Sequence, residues 1–200
     1  MENLQIGTYG WQHVSWEGSF YPDDMPEEWQ LDYYSNAFRV VLVPEKQWMT
    51  WDEAALEECA DAVEGEFEFY LRVDDVVTIG KEQQMQRIQQ GLGSLLKGVV
   101  LFSETEIPEP LIYGQPVSLV SKNLIMSGWH SEIDDYKISG SPIGYCAELK
   151  EDGKWQSAML QSFMQTLPDN NSGIPFFIGG DSINMAQVTN LKVVGEFLGY

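Results

Sequence analysis

The side chains best suited to chemistry in this 200-residue chain are one arginine and several carboxylates that follow apolar runs. Arg72 and Asp74 sit at the end of the run at 67–73 (FEFYLRV). Glu45 follows the run at 38–43 and Pro44, and Asp181 follows the run at 174–179. Thr8, Tyr9 and Trp11 come directly after a short first run at 4–7. A guanidinium is a planar fork that matches a carboxylate or phosphate, so Arg72 is the candidate for gripping an anion. The competing reading pairs Arg72 with an acid inside the fold. Asp74, Asp75, Glu104 and Asp181 carry oxygen ligands of the kind Mg²⁺ takes. A chain this acidic offers such groups by chance, so no metal and no cofactor are expected. His13 and His130 are the two histidines, and neither has a partner at zinc-ligand spacing. No Gly-x-Ser-x-Gly elbow occurs, and Cys146 reads as a buried structural thiol. Gly179-Gly180 could offer backbone N–H groups to a phosphate. Asp181 would repel that phosphate, so a tight turn with an aspartate N-cap is the better reading.

Charge limits the partners. Thirty-one acidic and eleven basic residues give a formal net charge of −20. Nucleic-acid affinity depends on Lys and Arg displacing counterions, so neither DNA nor RNA is expected as a partner. An anionic membrane surface is disfavoured for the same reason. No apolar run is long enough to span a bilayer, and no signal peptide is expected. Cys59 and Cys146 lie far apart in a helix-like and a strand-like segment, which favours reduced thiols and a cytoplasmic location.

Apolar residues make up 44% of the chain, enough for one core, and residues 1–200 are expected to form a single domain. Strand-like runs at 4–7, 38–43, 67–73 and 98–103 alternate with helical segments at 26–37, about 50–64 and 81–97. Thr50 and Glu53 have capping-box spacing. Continuous apolar runs suit parallel strands covered on both faces. The alternation then fails. Residues 104–115 contain two prolines, and 122–141 read as an irregular connection. A strand at 143–149, a helix at 154–167, a loop at 169–173, a strand at 174–179 and a helix capped at 181/182 complete the chain. The expected fold is α/β: a reduced or irregular TIM-like (β/α) barrel of mostly parallel strands. A broken barrel leaves sheet edges, so 104–115 or 122–141 should cover one, or two copies should meet there as a homo-oligomer.

The opening also carries a specific pattern: Gly7-Thr8-Tyr9-Gly10-Trp11, then Trp16-x-Gly18-x-Phe20-Tyr21-Pro22, then Leu31-x-Tyr33-Tyr34 and Phe38. This resembles the start of the YecE-like family, also known as domain of unknown function 72. The resemblance implies a TIM-barrel-like fold and carries over no established activity. It is weaker after residue 50 and poor across 104–141, where typical members are longer. It also implies polar strand residues that this chain replaces. Leu42 and Pro44 stand where a Glu and an Asn are usual, Arg72 for a Lys, Ile79 for a His and Phe102 for a Gln. Ala147 and Leu149 align near an Arg and a His, and Gly179 and Gly180 align with two Asn, while Asp181 is kept.

Two functional readings follow. The first is a degenerate, non-catalytic barrel that binds or regulates a small molecule or a protein. The second is a small-molecule enzyme with a polar site at the strand C-terminal ends, built from Glu45, Arg72 and Asp181. The candidate ligand-binding set is Thr8, Tyr9, Trp11, Glu45, Arg72, Asp74 and Asp181.

Overall fold

The computed structural model describes residues 3–63, 65–168, 173–180 and 182–200. Strand β1 (Leu4–Tyr9) leads through a Trp-rich loop to helix α1 (Glu27–Ala37) and strand β2 (Val40–Val43). A short helix α2 (Glu45–Trp48) and helix α3 (Glu53–Asp61) lead to β3 (Glu68–Asp74), then α4 (Ile79–Leu92) and β4 (Leu96–Phe102). Next come β5 (Leu111–Ile112), β6 (Gln115–Ser121), β7 (His130–Ile133), β8 (Tyr136–Gly140) and β9 (Gly144–Cys146). Helix α5 (Gly153–Thr166), β10 (Ile174–Ile178) and α6 (Met185–Leu198) finish the chain.

The strands form one sheet in the order β7-β8-β6-β4-β3-β2-β1-β10-β9, with β5 beside β6. Every neighbour from β6 through to β9 is parallel, and the hairpin β7–β8 joins antiparallel to β6. The sheet curls until the hairpin approaches β9, where the Tyr136 and Tyr145 rings meet edge to face at 5.7 Å. The expected irregular, mostly parallel TIM-like barrel is therefore the fold.

Strand β3 shows how the two faces differ. Phe69, Leu71 and Val73 are fully buried under the helices, while Glu68, Tyr70, Arg72 and Asp74 alternate with them on the barrel interior, each half-buried. Outside the sheet, an aromatic cluster joins the first loop to the helices. The Tyr34 hydroxyl, wholly buried, accepts from the Thr8 N–H at 3.0 Å and donates to the Val40 carbonyl at 3.0 Å, tying β1 to β2. Trp16 Nε1 donates to the Ile183 carbonyl at 2.8 Å, so the first loop is also tied to the last one.

Several boundaries differ from the sequence reading. Thr50 does not cap α3. Its hydroxyl is spent on the Gln47 carbonyl at the end of α2, and Asp52 caps instead by accepting from the Ala55 N–H. Thr78 caps α4, which stops at Leu92 because Gly93 adopts φ 54°, so Leu96 and Lys97 belong to β4. Residues 122–141 hold a regular hairpin turning at Asp134 (φ 50°). Its strand β8 pairs with β6 and so covers that edge. Strand β9 spans three residues, Gly144–Cys146, rather than seven. Asn184, accepting from the Ala186 and Gln187 N–H groups, caps α6 in place of the expected 181/182 pair. Residues 169–172 of the expected loop lie outside the described residues.

Replacing Tyr34 with Phe leaves the Thr8 N–H and the Val40 carbonyl without their buried partner. It should cost about 1–3 kcal/mol in a urea unfolding titration. An unchanged midpoint would show that the tie carries no stability.

Candidate functional site

The C-terminal ends of the strands gather most of the polar candidates around Arg72. Its Nε donates to Asp74 Oδ1 at 2.8 Å, and its guanidinium lies 4.0 Å from the centroid of the Phe102 ring and 4.7 Å from that of Tyr9. Burial opposes its charge, but the Asp74 hydrogen bond and carboxylate outweigh burial and hold its pKa above the ordinary arginine value. Glu45 closes the next layer. Its Oε2 accepts from the Asp74 N–H at 2.7 Å and pairs with Lys81 Nζ at 2.8 Å. Lys81 also donates to the Asp74 carbonyl at 2.6 Å, and Trp48 Nε1 donates to the Arg72 carbonyl at 2.7 Å. Charge at this rim is thus matched within a chain of hydrogen-bonded groups.

Aromatic rings fill the mouth beyond Arg72. Phe102 meets Tyr145 at 4.8 Å, Tyr145 meets Tyr136, and Lys122 Nζ lies 5.5 Å from the Tyr136 ring. Burial pushes the Tyr145 phenol up to about 12, against the opposing charge of Arg72. Tyr145 fits because Gly179 has no side chain: a Cβ there would lie 2.3 Å from the Tyr145 hydroxyl. Phe102 and Gly179 are two of the positions where the family resemblance implies polar residues. Here one supplies a face for Arg72 and the other leaves room for Tyr145.

Tyr9, Glu45, Arg72 and Asp74 therefore come together. Thr8 and Trp11 do not join them. Thr8 is buried under α1, with its hydroxyl 2.9 Å from that of Tyr34, and Trp11 packs on Trp51 and Phe69 in the helical layer. Asp181 lies outside the described residues. Glu104 acts as a loop clasp. Its carboxylate accepts from the Lys122 N–H at 2.7 Å and from Ser121 and Asn123, and the Lys122 N–H above all holds its pKa low. Among the described residues no three His, Cys, Asp or Glu side chains form a group that could hold a metal ion. His13 Nε2 hydrogen-bonds the Tyr9 carbonyl at 2.8 Å and its ring stacks on Trp16, with burial lowering its pKa. The Cys146 thiol, pushed up to about 12 by burial, donates to the Glu148 carbonyl.

Sequence reasoning missed Lys81, Tyr136 and Tyr145. Lys81 lies seven residues beyond Asp74, on the first turn of α4, a spacing that marks nothing until the βα turn is folded. Two open clefts flank the last loop. One, of about 450 Å³, is lined by Glu148, Glu151, Asn184 and Gln187 over Leu149 and Val188. The other, also about 450 Å³, shares Asn184 and runs along Trp16 and Phe20.

Sheet, helices and mouth together define a TIM-like (β/α) barrel in which no helix joins β4 to β6 and a hairpin stands between β6 and β9. Residues 5–102 match the family described as protein of unknown function DUF72, and this half of the chain belongs to that family, as its opening motifs indicate. Across 98% of this chain and 99% of the other, the fold is similar to a DUF72 family protein from Thermotoga maritima MSB8, at 12% identity and a TM-score of 0.58. No curated protein matches the sequence.

Gly179→Ala places a methyl group against the Tyr145 hydroxyl and forces that ring from the mouth. The expected cost is about 1–3 kcal/mol in chemical denaturation, the range for overpacking a filled interior. A neutral result would mean that Tyr145 moves freely.

Proposed function

We propose that this chain is a degenerate barrel that binds or regulates rather than catalyses. The observation that carries this reading is the mouth itself, where Arg72 is paired with Asp74 and held between the Phe102 and Tyr9 rings. A barrel enzyme needs convergent polar groups free to meet substrate at the strand C-terminal ends. Here Glu45 is engaged by Lys81 and the Asp74 N–H, and the neighbouring positions carry Leu42, Pro44, Phe102, Ala147 and Leu149. Apolar side chains neither transfer protons nor stabilise developing charge. The binding surface in this reading is the cleft along the last loop, whose carboxylates Glu148 and Glu151 suit a neutral or cationic small molecule, or a basic segment of a protein. The charge of −20 speaks against nucleic acid. No helix among the described residues is long and apolar enough to cross a membrane. Two buried, unpaired thiols support a reducing, cytoplasmic setting.

The second reading, a small-molecule enzyme at the same rim, is favoured by one observation: an open cleft lies directly beside the last strand–helix turn, where barrels often seat a substrate phosphate.

Incubating the protein with a mixed small-metabolite extract, followed by mass spectrometry of the bound and free pools, separates the two. Under the binding reading, a compound is retained and recovered unchanged, and Asn184→Ala reduces its retention. Consumption of any compound by the wild type, abolished in Arg72→Ala, would establish the enzyme reading instead.

A further inference from the structure

Helix α6 is apolar on its inner and its outer side. Met185, Val188, Leu191 and Gly195 form the inner face, packed on β1 and α5. The outer side carries Val193, 50% exposed, and Phe197 one turn later, 93% exposed. A helix on the surface of a barrel ordinarily turns polar and charged residues outward, and a helix that is apolar all round is one covered on both sides. A single exposed apolar residue needs no explanation, but two at i and i+4 are neighbours on the helix surface and make a strip.

Charge sets this strip apart from the rest of the surface. Helix α1 carries Glu27, Glu28 and Asp32, α3 carries Glu53, Glu57, Glu58 and Asp61, and neither carries a base. Helix α5 has no carboxylate and α6 has one, Glu196. Their bases are Lys154 and Lys192, and Lys192 donates to the Ala37 carbonyl at 3.0 Å. The two helices lie side by side: Asn190 Nδ2 donates to Gln156 Oε1 at 3.2 Å, and Gln156 Nε2 to Gln187 Oε1 at 3.3 Å. They present an outer face two helices wide and almost free of acid, on a chain of net charge −20. Exposed apolar residues elsewhere sit among carboxylates, as Trp29 does beside Glu27, Glu28 and Asp32, and Ile107 between Glu106 and Glu109.

We propose that the outer face of α5 and α6 is the interface of a twofold-symmetric homodimer, anchored by Val193 and Phe197. A twofold axis sets a patch against its own copy, so the patch must be complementary to itself. Carboxylates brought together in this way repel. The other exposed groups on this face include Gln161, Gln165, Thr189 and Asn190, and amides and hydroxyls both donate and accept. This face can therefore meet itself, whereas α1 and α3 cannot. A basic partner would be drawn to α1 and α3 instead, where the carboxylates are. The contact uses the helical layer and not the sheet edge that β8 covers. Each helix has 14 residues and is about 21 Å long. A face of that extent is at the small end of specific interfaces, which places association in the micromolar range.

The test is sedimentation equilibrium of the whole chain from about 1 to about 300 μM, at about 0.05 and about 0.5 M sodium chloride. A reversible monomer–dimer equilibrium is expected, tighter at the higher salt, because salt screens the repulsion between two chains of −20 and leaves the apolar contact intact. Phe197→Glu and Val193→Glu should each weaken the dimer about tenfold or more, by bringing a carboxylate to an uncharged face on both copies. Phe197 is exposed in the protomer, so Phe197→Glu should keep the wild-type circular dichroism spectrum and the melting temperature of the dilute protein, and its lost association cannot be put down to unfolding. Ile79→Glu, which puts the same charge at the exposed start of α4, should dimerise as the wild type does. A wild type that stays monomeric throughout overturns the proposal and leaves the face to solvent or to a different protein. So does a dimer that salt dissociates, one that both α6 variants leave intact, or one that Ile79→Glu disrupts equally.

Discussion

A cation placed on the interior face of a strand governs this structure's upper half. Arg72 lies within the barrel, where the loss of water makes an unmatched charge costly. Asp74, two residues along the same strand, meets the charge directly, and the faces of Phe102 and Tyr9 add a cation–π contribution of about 0.5–2 kcal/mol each. Asp74 in turn must be held in place, which Glu45 and Lys81 do from the turns after β2 and β3. The rim is thus arranged around one half-buried guanidinium.

The neighbouring residues then form a set. An aromatic ring at Phe102 is useful only if a cation needs a face, and Tyr145 can reach Phe102 only because Gly179 leaves the space. Seen separately, each is a side chain, or the lack of one, with no chemistry of its own. Together they pack the space around Arg72 with interior side chains.

Much of the fold was legible because β-branched runs such as 38–43 are buried on both faces and have few alternatives. The hairpin at 122–141 was not, because its strand pattern is short and interrupted. His130–Ile133 alternates exposed and buried over four residues only, and its turn relies on Asp134 tolerating a left-handed backbone. At the rim, Arg72, Asp74 and Glu45 could be found as polar residues at strand ends. Thr8 and Trp11 share that sequence position but face the helices, since alternation along β1 sends Thr8 outward and the chain then turns Trp11 into the outer layer. Tyr145 and Lys81 gain their place from tertiary approach, which no local spacing encodes.

The strand order also dictates when the barrel can close. Strands β1 to β4 join their sequence neighbours through short crossovers, so the first hundred residues can assemble locally as they leave the ribosome. Strand β1, however, takes its other partner from β10, in the register Leu4↔Ile174. Until nearly the whole chain has been synthesised, β1 keeps a bare row of backbone donors and acceptors along an apolar edge. Such an edge is a template for any extended segment nearby, whether of this chain or of another copy. The hairpin β7–β8 protects the opposite side early, because it needs only β6 from nearby sequence. Vulnerability during biosynthesis is therefore concentrated on the amino-terminal strand, and it ends only when the last βα unit docks.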